Sequence, residues 1–233
     1  MNIAVILASG IGKRMGAGKN KTLLRLENKP LIYYAIKNFE KSKLINKIIL
    51  VVRAGEEKYF DEIVKKYNFK KIIAIISGGE ERQYSAHNGI KFIEDKFGKF
   101  KKMIILFHNG ANPFVSQEEI KNVIGGALKY GAAAVAHKTK DTIRRVNDAN
   151  LSLGVMEREG LWNMQTPQAI EFFLAKRAFN QAQEDKFLGT DDVSLVERMG
   201  KKVKIIEASE NNFKITTPLD LELAKVIVRE LRI

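Results

Sequence analysis

Residues 8–21 read Ala-Ser-Gly-Ile-Gly-Lys-Arg-Met-Gly-Ala-Gly-Lys-Asn-Lys. Glycines let backbone N–H groups close around an anion, and Arg14 and Lys21 add fixed positive charge beside them. Met1 to Leu26 holds no acidic residue, yet carries Lys13, Arg14, Lys19, Lys21 and Arg25. A field of that sign suits a polyanion such as a triphosphate. The segment is not a P-loop, since Gly-Lys-Ser/Thr is missing, and Met15 holds the third glycine position of Gly-x-Gly-x-x-Gly. Gly12-x-x-x-Gly16-x-Gly18 fits a looser dinucleotide pattern. However, those glycines start four residues beyond the preceding apolar run, and Arg53 rather than an acid follows the next one. Two more segments are unusual: Gly78-Gly79-Glu80-Glu81-Arg82-Gln83-Tyr84-Ser85 and His108-Asn109-Gly110-Ala111-Asn112-Pro113-Phe114. The chain offers no Ser-His-Asp set and no evident catalytic carboxylate pair. His87, His108 and His137 are scattered, so none is given a catalytic role.

These segments need elements to hold them. Apolar runs at 2–7, 47–52, 72–76, 103–107 and 132–136 read as strands. Between them, 30–41, 56–67 and 82–92 have helical periodicity, and Ser116 with Glu119 makes a capping box for another helix. Apolar strands alternating with helices indicate a mostly parallel α/β sheet of the Rossmann-like kind, flanked by helices. The rhythm breaks near His137. Thr142–Val146 and Leu151–Met156 read as a hairpin arm, at about 138–160, inserted into the α/β domain. Helices follow at 170–183 and 191–199, strands at 203–207 and 213–216, and a last helix capped by Thr217 with Pro218 in its first turn. In an open α/β sheet ligands bind beyond the carboxyl ends of the strands. The loops at 8–21, 77–85, 108–114 and 214–217 all fall there.

Composition narrows the classes. The 233 residues are 45% hydrophobic, enough for one domain spanning 1–233 with a real core. No cysteine occurs, which excludes disulfides, thiolate metal sites and a Cys nucleophile, and three histidines make a multi-His zinc site a poor reading. The net charge of +13 is spread along the whole chain, as solvated surface rather than a nucleic-acid face. The apolar stretch at 3–8 is too short to span a bilayer or to form a signal-peptide core, so a cytoplasmic protein is expected, with neither membrane nor nucleic-acid partners. A hairpin with few core candidates is marginal alone, and a second subunit is its natural cover. Trp162 beside Leu161 reads as core packing rather than a base-stacking platform.

The motifs, taken in order, resemble sugar-phosphate and polyol-phosphate nucleotidylyltransferases. Leu-Ala-Ser-Gly-Ile-Gly-Lys-Arg-Met (7–15) with Asn20-Lys21 resembles their opening, and 78–85 their Gly-Gly-acid-x-Arg-x-x-Ser loop. Lys140-Asp141-Thr142, Arg158-Glu159-Gly160-Leu161-Trp162, Gln165-Thr166-Pro167-Gln168, Thr190-Asp191-Asp192 and Asn212-Phe213-Lys214-Ile215-Thr216 complete the set. Each is weak alone. Together, from residue 2 to about 228, they are most similar to the 2-C-methyl-D-erythritol 4-phosphate cytidylyltransferase family, with its nucleotidyltransferase-like fold. The resemblance implies that a polyol phosphate attacks the α-phosphorus of CTP and pyrophosphate leaves. It implies Arg14 and Lys21 at the triphosphate, and Lys214 and Arg158 on the polyol phosphate. Ala8, Ser9, Gly10, Gly12, Gly79, Glu80, Ser85 and Asn109 would frame the nucleotide, and Thr142, Thr166 and Thr190 the second substrate. It also implies Mg²⁺ as cofactor and a homodimer in which the arm carries Thr142 and Arg158 into the neighbouring site.

Two positions depart from the family pattern His-Asp-x-Ala-Arg-Pro: Asn109 replaces the Asp and Asn112 the Arg. Mg²⁺ prefers carboxylate and phosphate oxygens, so the metal site is left unknown from sequence. Three readings stay open. Mg²⁺ is held mainly by the CTP phosphates; the acceptor is another polyol phosphate such as ribitol 5-phosphate; or the chain binds nucleotide without turnover. Asn20 stands where many relatives have Pro, and Glu80 where Asp is commoner. An NADP-linked reductase is the remaining reading of the glycines and Arg53, but Tyr33-x-x-x-Lys37 falls in the first helix, far from where such an enzyme needs that pair.

Overall fold

The computed structural model describes residues 1–10, 20–98 and 102–231. β1 (Asn2–Ala8) lies in a sheet with the order β11-β7-β10-β6-β1-β4-β5. Its neighbours are β4 (Lys47–Val52) and β6 (Ile104–Asn109), with β5 (Ile72–Ser77) at one edge and β7 (Ala132–Lys138) and β11 (Lys204–Glu207) toward the other. Within this sheet all the paired strands run parallel except β10 (Trp162–Glu171), which is antiparallel to both β6 and β7. The sheet is therefore mostly parallel, as the alternation of runs predicts.

Helices cover both faces. α1 (Leu31–Lys41), α2 (Glu57–Tyr67) and α4 (Gln117–Tyr130) bury Ile32, Ile36, Phe39, Phe60 and Ile120 against the even side chains of β1, Ala4 and Ile6. α3 (Arg82–Phe97), α5 (Phe172–Glu184) and α6 (Asp192–Arg198) pack on Ile3, Val5 and Phe107 of the other face. Burial on both sides explains why these strands are continuous apolar runs. A third cluster sits beyond the sheet. There α7 (Pro218–Leu231) meets the short ribbon of β2 (Arg25–Leu26) and β3 (Lys29–Pro30) through Leu26, Leu31, Ile215 and Ala224.

Several expectations need correction. β10 occupies a segment to which the sequence pattern assigns no element, and the helix expected from 170 begins at Phe172. Pro167 cannot donate to a ladder, and the β10–β7 register slips between Met164 and Gln168 around it. Residues 213–216 are not a sheet strand. They dock through Ile215, whose N–H donates to the Ala111 carbonyl at 2.9 Å. α3 runs five residues further than its periodicity suggests, to Phe97. Trp162 is half-buried at the start of β10, with the Lys138 ammonium 5.5 Å from its ring centroid, rather than a core side chain. The arm forms as expected: β8 (Arg144–Val146) pairs antiparallel with β9 (Ser152–Val155) in a two-stranded sheet of its own.

Candidate functional site

The chain moves from β1 through β4 to β5, then returns across β1 to β6. A crevice opens where strand order reverses in such a sheet. Here it is a cleft of ≈ 530 Å³ whose wall is built from the ends of β1, β5 and β6 and from the 214–216 segment. Ala8, Ser9, Gly10, Lys21, Gly79, Glu80, Asn109 and Lys214 all line it, so four separately predicted loops meet in one place. Gly12 and Arg14 lie outside the described residues.

Local hydrogen bonds hold each loop. Asn20 is buried; its Nδ2 donates to the Ala8 carbonyl at 2.5 Å and to Glu56 Oε2 at 2.6 Å, while its Oδ1 accepts from the Thr22 amide at 3.1 Å. That ties the far end of the 8–21 loop back to the end of β1. Lys21, next in sequence, donates Nζ to the Ile215 carbonyl at 3.0 Å and so bridges to the 214–216 segment. Ser9 and Ser85 share a hydrogen bond of 2.9 Å, and the Gly79 N–H donates to Ser85 Oγ at 3.1 Å. A Cβ on Gly78 would stand 2.6 Å from Ser85 Oγ and 2.8 Å from Ser9 Cβ, so this junction requires glycine.

Two expected ligand groups, Ser85 and Thr166, are buried and hydrogen-bonded within the protein. Ser85 is fully buried in the first turn of α3 and clasps two loops rather than facing the cleft. Thr166 is buried too. His108 Nε2 sits 2.9 Å from the Asn112 carbonyl, which only accepts, so Nε2 carries the proton and Nδ1 is bare. Thr166 Oγ1, 3.1 Å from Nδ1, must donate there, and it accepts from the Asn109 N–H at 3.2 Å. Its hydroxyl proton is committed to His108. Burial is the main reason that His108 titrates low, at about 4, with the nearby Arg82 charge acting the same way and its bond to Asn112 opposing. Thr142, Arg158 and Thr190 are exposed and do not line this cleft; Arg158 Nη1 donates to the Lys140 carbonyl at 3.0 Å, at the base of the arm.

Other residues at the site are not singled out by the motifs that contain them. Arg82 lies on the cleft wall, with a bidentate pair to buried Asp192 at 2.8 and 2.6 Å. Burial works against its charged form, but the Asp192 charge and hydrogen bonds outweigh that and raise its pKa. Gln168 of β10 orders the neighbouring turn: its Oε1 accepts from the Asp192 and Val193 amides and its Nε2 donates to Asp191. Arg82 and the Asp191-Asp192 pair stand inside recognised motifs, but their contact across 110 residues is visible only in the fold.

Among the described residues, no three His, Asp or Glu side chains converge to hold a metal. Asn109 Oδ1 already accepts from Arg82 Nε at 3.0 Å. A cation beside a guanidinium on a neutral amide oxygen is a poor arrangement, so the side chains do not fit a protein-held Mg²⁺.

The comparisons with known proteins point to one family. The family model IspD: 2-C-methyl-D-erythritol 4-phosphate cytidylyltransferase matches residues 2–230. The chain belongs to this family. The 2-C-methyl-D-erythritol 4-phosphate cytidylyltransferase of Caldanaerobacter subterraneus subsp. tengcongensis is 43% identical over 232 residues, covering 99% of this chain and 100% of that protein. That of Geobacillus kaustophilus is 41% identical over 225 residues, 97% of this chain and 96% of that one. Among solved structures, 4-diphosphocytidyl-2C-methyl-D-erythritol synthase from Anaerococcus prevotii superposes with a TM-score of 0.84 at 27% identity, covering 98% and 96% of the two chains. The Thermus thermophilus cytidylyltransferase gives 0.78 at 25% identity, covering 98% and 100%. In this member of the family, Lys21, Lys214 and the Gly-Gly-acid-x-Arg loop thus fall on one cleft together with Asn109.

Proposed function

We propose that this protein transfers a cytidylyl group from CTP to 2-C-methyl-D-erythritol 4-phosphate, giving the CDP-linked polyol and pyrophosphate for isoprenoid precursor synthesis. The observation that carries the reading is the convergence of Lys21, Lys214 and Arg82 with the glycine loops on one cleft at the strand ends. A polyol phosphate oxygen attacks the α-phosphorus of CTP, and the bond from that phosphorus to the bridging oxygen breaks as pyrophosphate departs. The attacking phosphate has a second pKa near ~6, so it is already anionic at neutral pH and needs no strong general base. The work is to bring two anions together and to stabilise charge on the leaving group. Arg14 and Lys21 take the triphosphate, Lys214 the attacking phosphate, and the amides of 8–10 and 79 frame the nucleotide. Mg²⁺ enters on the CTP phosphates rather than on a protein site.

The chain acts as one domain, and as a homodimer. Val146, Leu151, Leu153 and Val155 of the arm are 52–64% exposed, too apolar a surface for a two-stranded ribbon left in water. Arg158 and Thr142 stand at the arm's base, away from their own chain's cleft, where they can serve a neighbour's. Among the described residues no helix is long and apolar enough to cross a membrane, and the cytoplasm is the proposed location.

The test is pyrophosphate release from CTP, Mg²⁺ and methylerythritol phosphate. Turnover is expected, and Lys21→Ala and Arg14→Ala should each lower kcat by at least about a hundred-fold with a small effect on polyol affinity. No release above the enzyme-free rate, under conditions where a relative works, would reject the proposal. Release with ribitol 5-phosphate alone would reject the acceptor.

A further inference from the structure

Arg82 and Glu119 stand at opposite ends of one chain of side-chain amides. A guanidinium only donates and a carboxylate only accepts, so the two ends fix every amide between them. Arg82 Nε donates to Asn109 Oδ1 at 3.0 Å. Asn109 Nδ2 donates to Asn112 Oδ1 at 3.2 Å, and Asn112 Nδ2 donates to Gln165 Oε1 at 3.1 Å and to Asn212 Oδ1 at 3.4 Å. Asn212 Nδ2 donates to Glu119 Oε1 at 3.2 Å and to the Thr166 carbonyl at 2.9 Å. Turning any one of Asn109, Asn112 or Asn212 over would set like groups face to face in a buried site, where mismatch is costly.

Of these amides only Asn109 reaches the cleft wall. Its oxygen is occupied by Arg82. One Nδ2 hydrogen goes to Asn112, and the second has no partner among the described residues. Resting on the reading that this cleft takes CTP, we infer that Asn109 meets the nucleotide as an N–H donor to an anionic phosphate oxygen, and not as a ligand to a divalent cation. A carboxylate at 109 would present acceptors on both sides and would need a donor at 112, such as the Arg of the family pattern. An amide at 109 needs only an amide oxygen at 112. The two departures are therefore one matched change, which keeps donors opposite acceptors while removing both charges.

Calorimetric titration of CTP, with and without Mg²⁺, tests this on the parent, Asn109→Ala and the isosteric Asn109→Asp. Thermal denaturation shows that each variant is folded, and Asn109→Ala carries the test if Asn109→Asp is not. Loss of the donor should weaken metal-free CTP binding by about ten-fold or more in Asn109→Ala. Asn109→Asp, which points a charge at the phosphates, should weaken it further and regain affinity when Mg²⁺ is added, whereas Asn109→Ala should not. Metal-free CTP binding equal to the parent's in either variant would overturn the inference. So would a loss confined to parallel titrations with methylerythritol phosphate. If the parent itself binds no CTP, the reading of the site fails instead, and this inference falls with it.

Discussion

His108 shows how a site side chain can matter without touching a ligand. It is fully buried against Phe39, with ring centroids 4.8 Å apart, and is the acceptor that holds the Thr166 hydroxyl. Unfolded, its imidazole takes a proton near 6.5; folded, it resists until about 4. Between those values the unfolded chain binds more protons, so stability rises with pH. The contribution is complete above about pH 6.5 and falls by roughly 1.4 kcal/mol per pH unit on acidification, to a loss of about 3 kcal/mol near pH 4. His87 is also held low, chiefly by burial, and acts in the same direction. A His108→Gln variant isolates the effect: urea denaturation between pH 4 and 7 should show a shallower pH dependence than the parent. Equal slopes would mean that the buried imidazole is protonated in the fold. Residue type and order were enough to find Ala8, Ser9, Lys21, Gly79, Asn109 and Lys214 on the cleft. They could not show that Ser85 and Thr166 are buried with internal partners, because a hydroxyl offered to a substrate and one offered to a neighbouring loop look alike in a sequence. The Asn112–Asn212 contact joins positions 100 apart and leaves no local trace.

At the scale of elements, α3 packs closely on β1. Gly89 lies where the helix crosses the strand, and a Cβ there would stand 2.7 Å from Val5 Cγ1. Alanine favours helix over glycine by about 1 kcal/mol, but overpacking a buried β-branched neighbour costs about 1–3 kcal/mol. Packing should win, so Gly89→Ala is expected to lower stability by about 1 kcal/mol, seen as a lower urea midpoint at unchanged slope. A midpoint equal to or above the parent's would show that α3 can shift without cost. The same logic of context explains which elements were legible. The strands buried on both faces, β1, β4 and β6, announce themselves as apolar runs. β10 does not. Its Asn163, Gln165, Thr166, Pro167 and Gln168 serve the polar end of the sheet, and only Ala169 and Ile170 supply core. Conversely, Phe213–Thr216 alternates like a strand because Ile215 fills the third core cluster, yet the segment joins no ladder. Periodicity reports which side chains are buried, not what the backbone pairs with.

For the whole molecule, the question is whether one chain contains a complete site. Lys214 lines the cleft of its own chain, whereas Arg158 sits at the base of the exposed arm. If the arm crosses to a partner, every site combines Lys214 of one subunit with Arg158 of the other, and a two-fold axis makes both sites equivalent. That arrangement has a consequence no single-chain site can mimic. Lys214→Ala and Arg158→Ala homodimers should each be nearly inactive. After subunit exchange in an equal mixture, half of the dimers are mixed, and one of the two sites in each retains both cations; activity should recover to about a quarter of the parent's. The readout is pyrophosphate release followed over the time of exchange. Replacing Leu153 and Val155 by Lys should prevent recovery, because charges on the arm's apolar surface disfavour its burial, and sedimentation should then report monomers. A mixture that stays inactive although sedimentation shows dimers exchanging would place Arg158 and Lys214 in the same chain's site, and the arm would have to fold back over its own cleft.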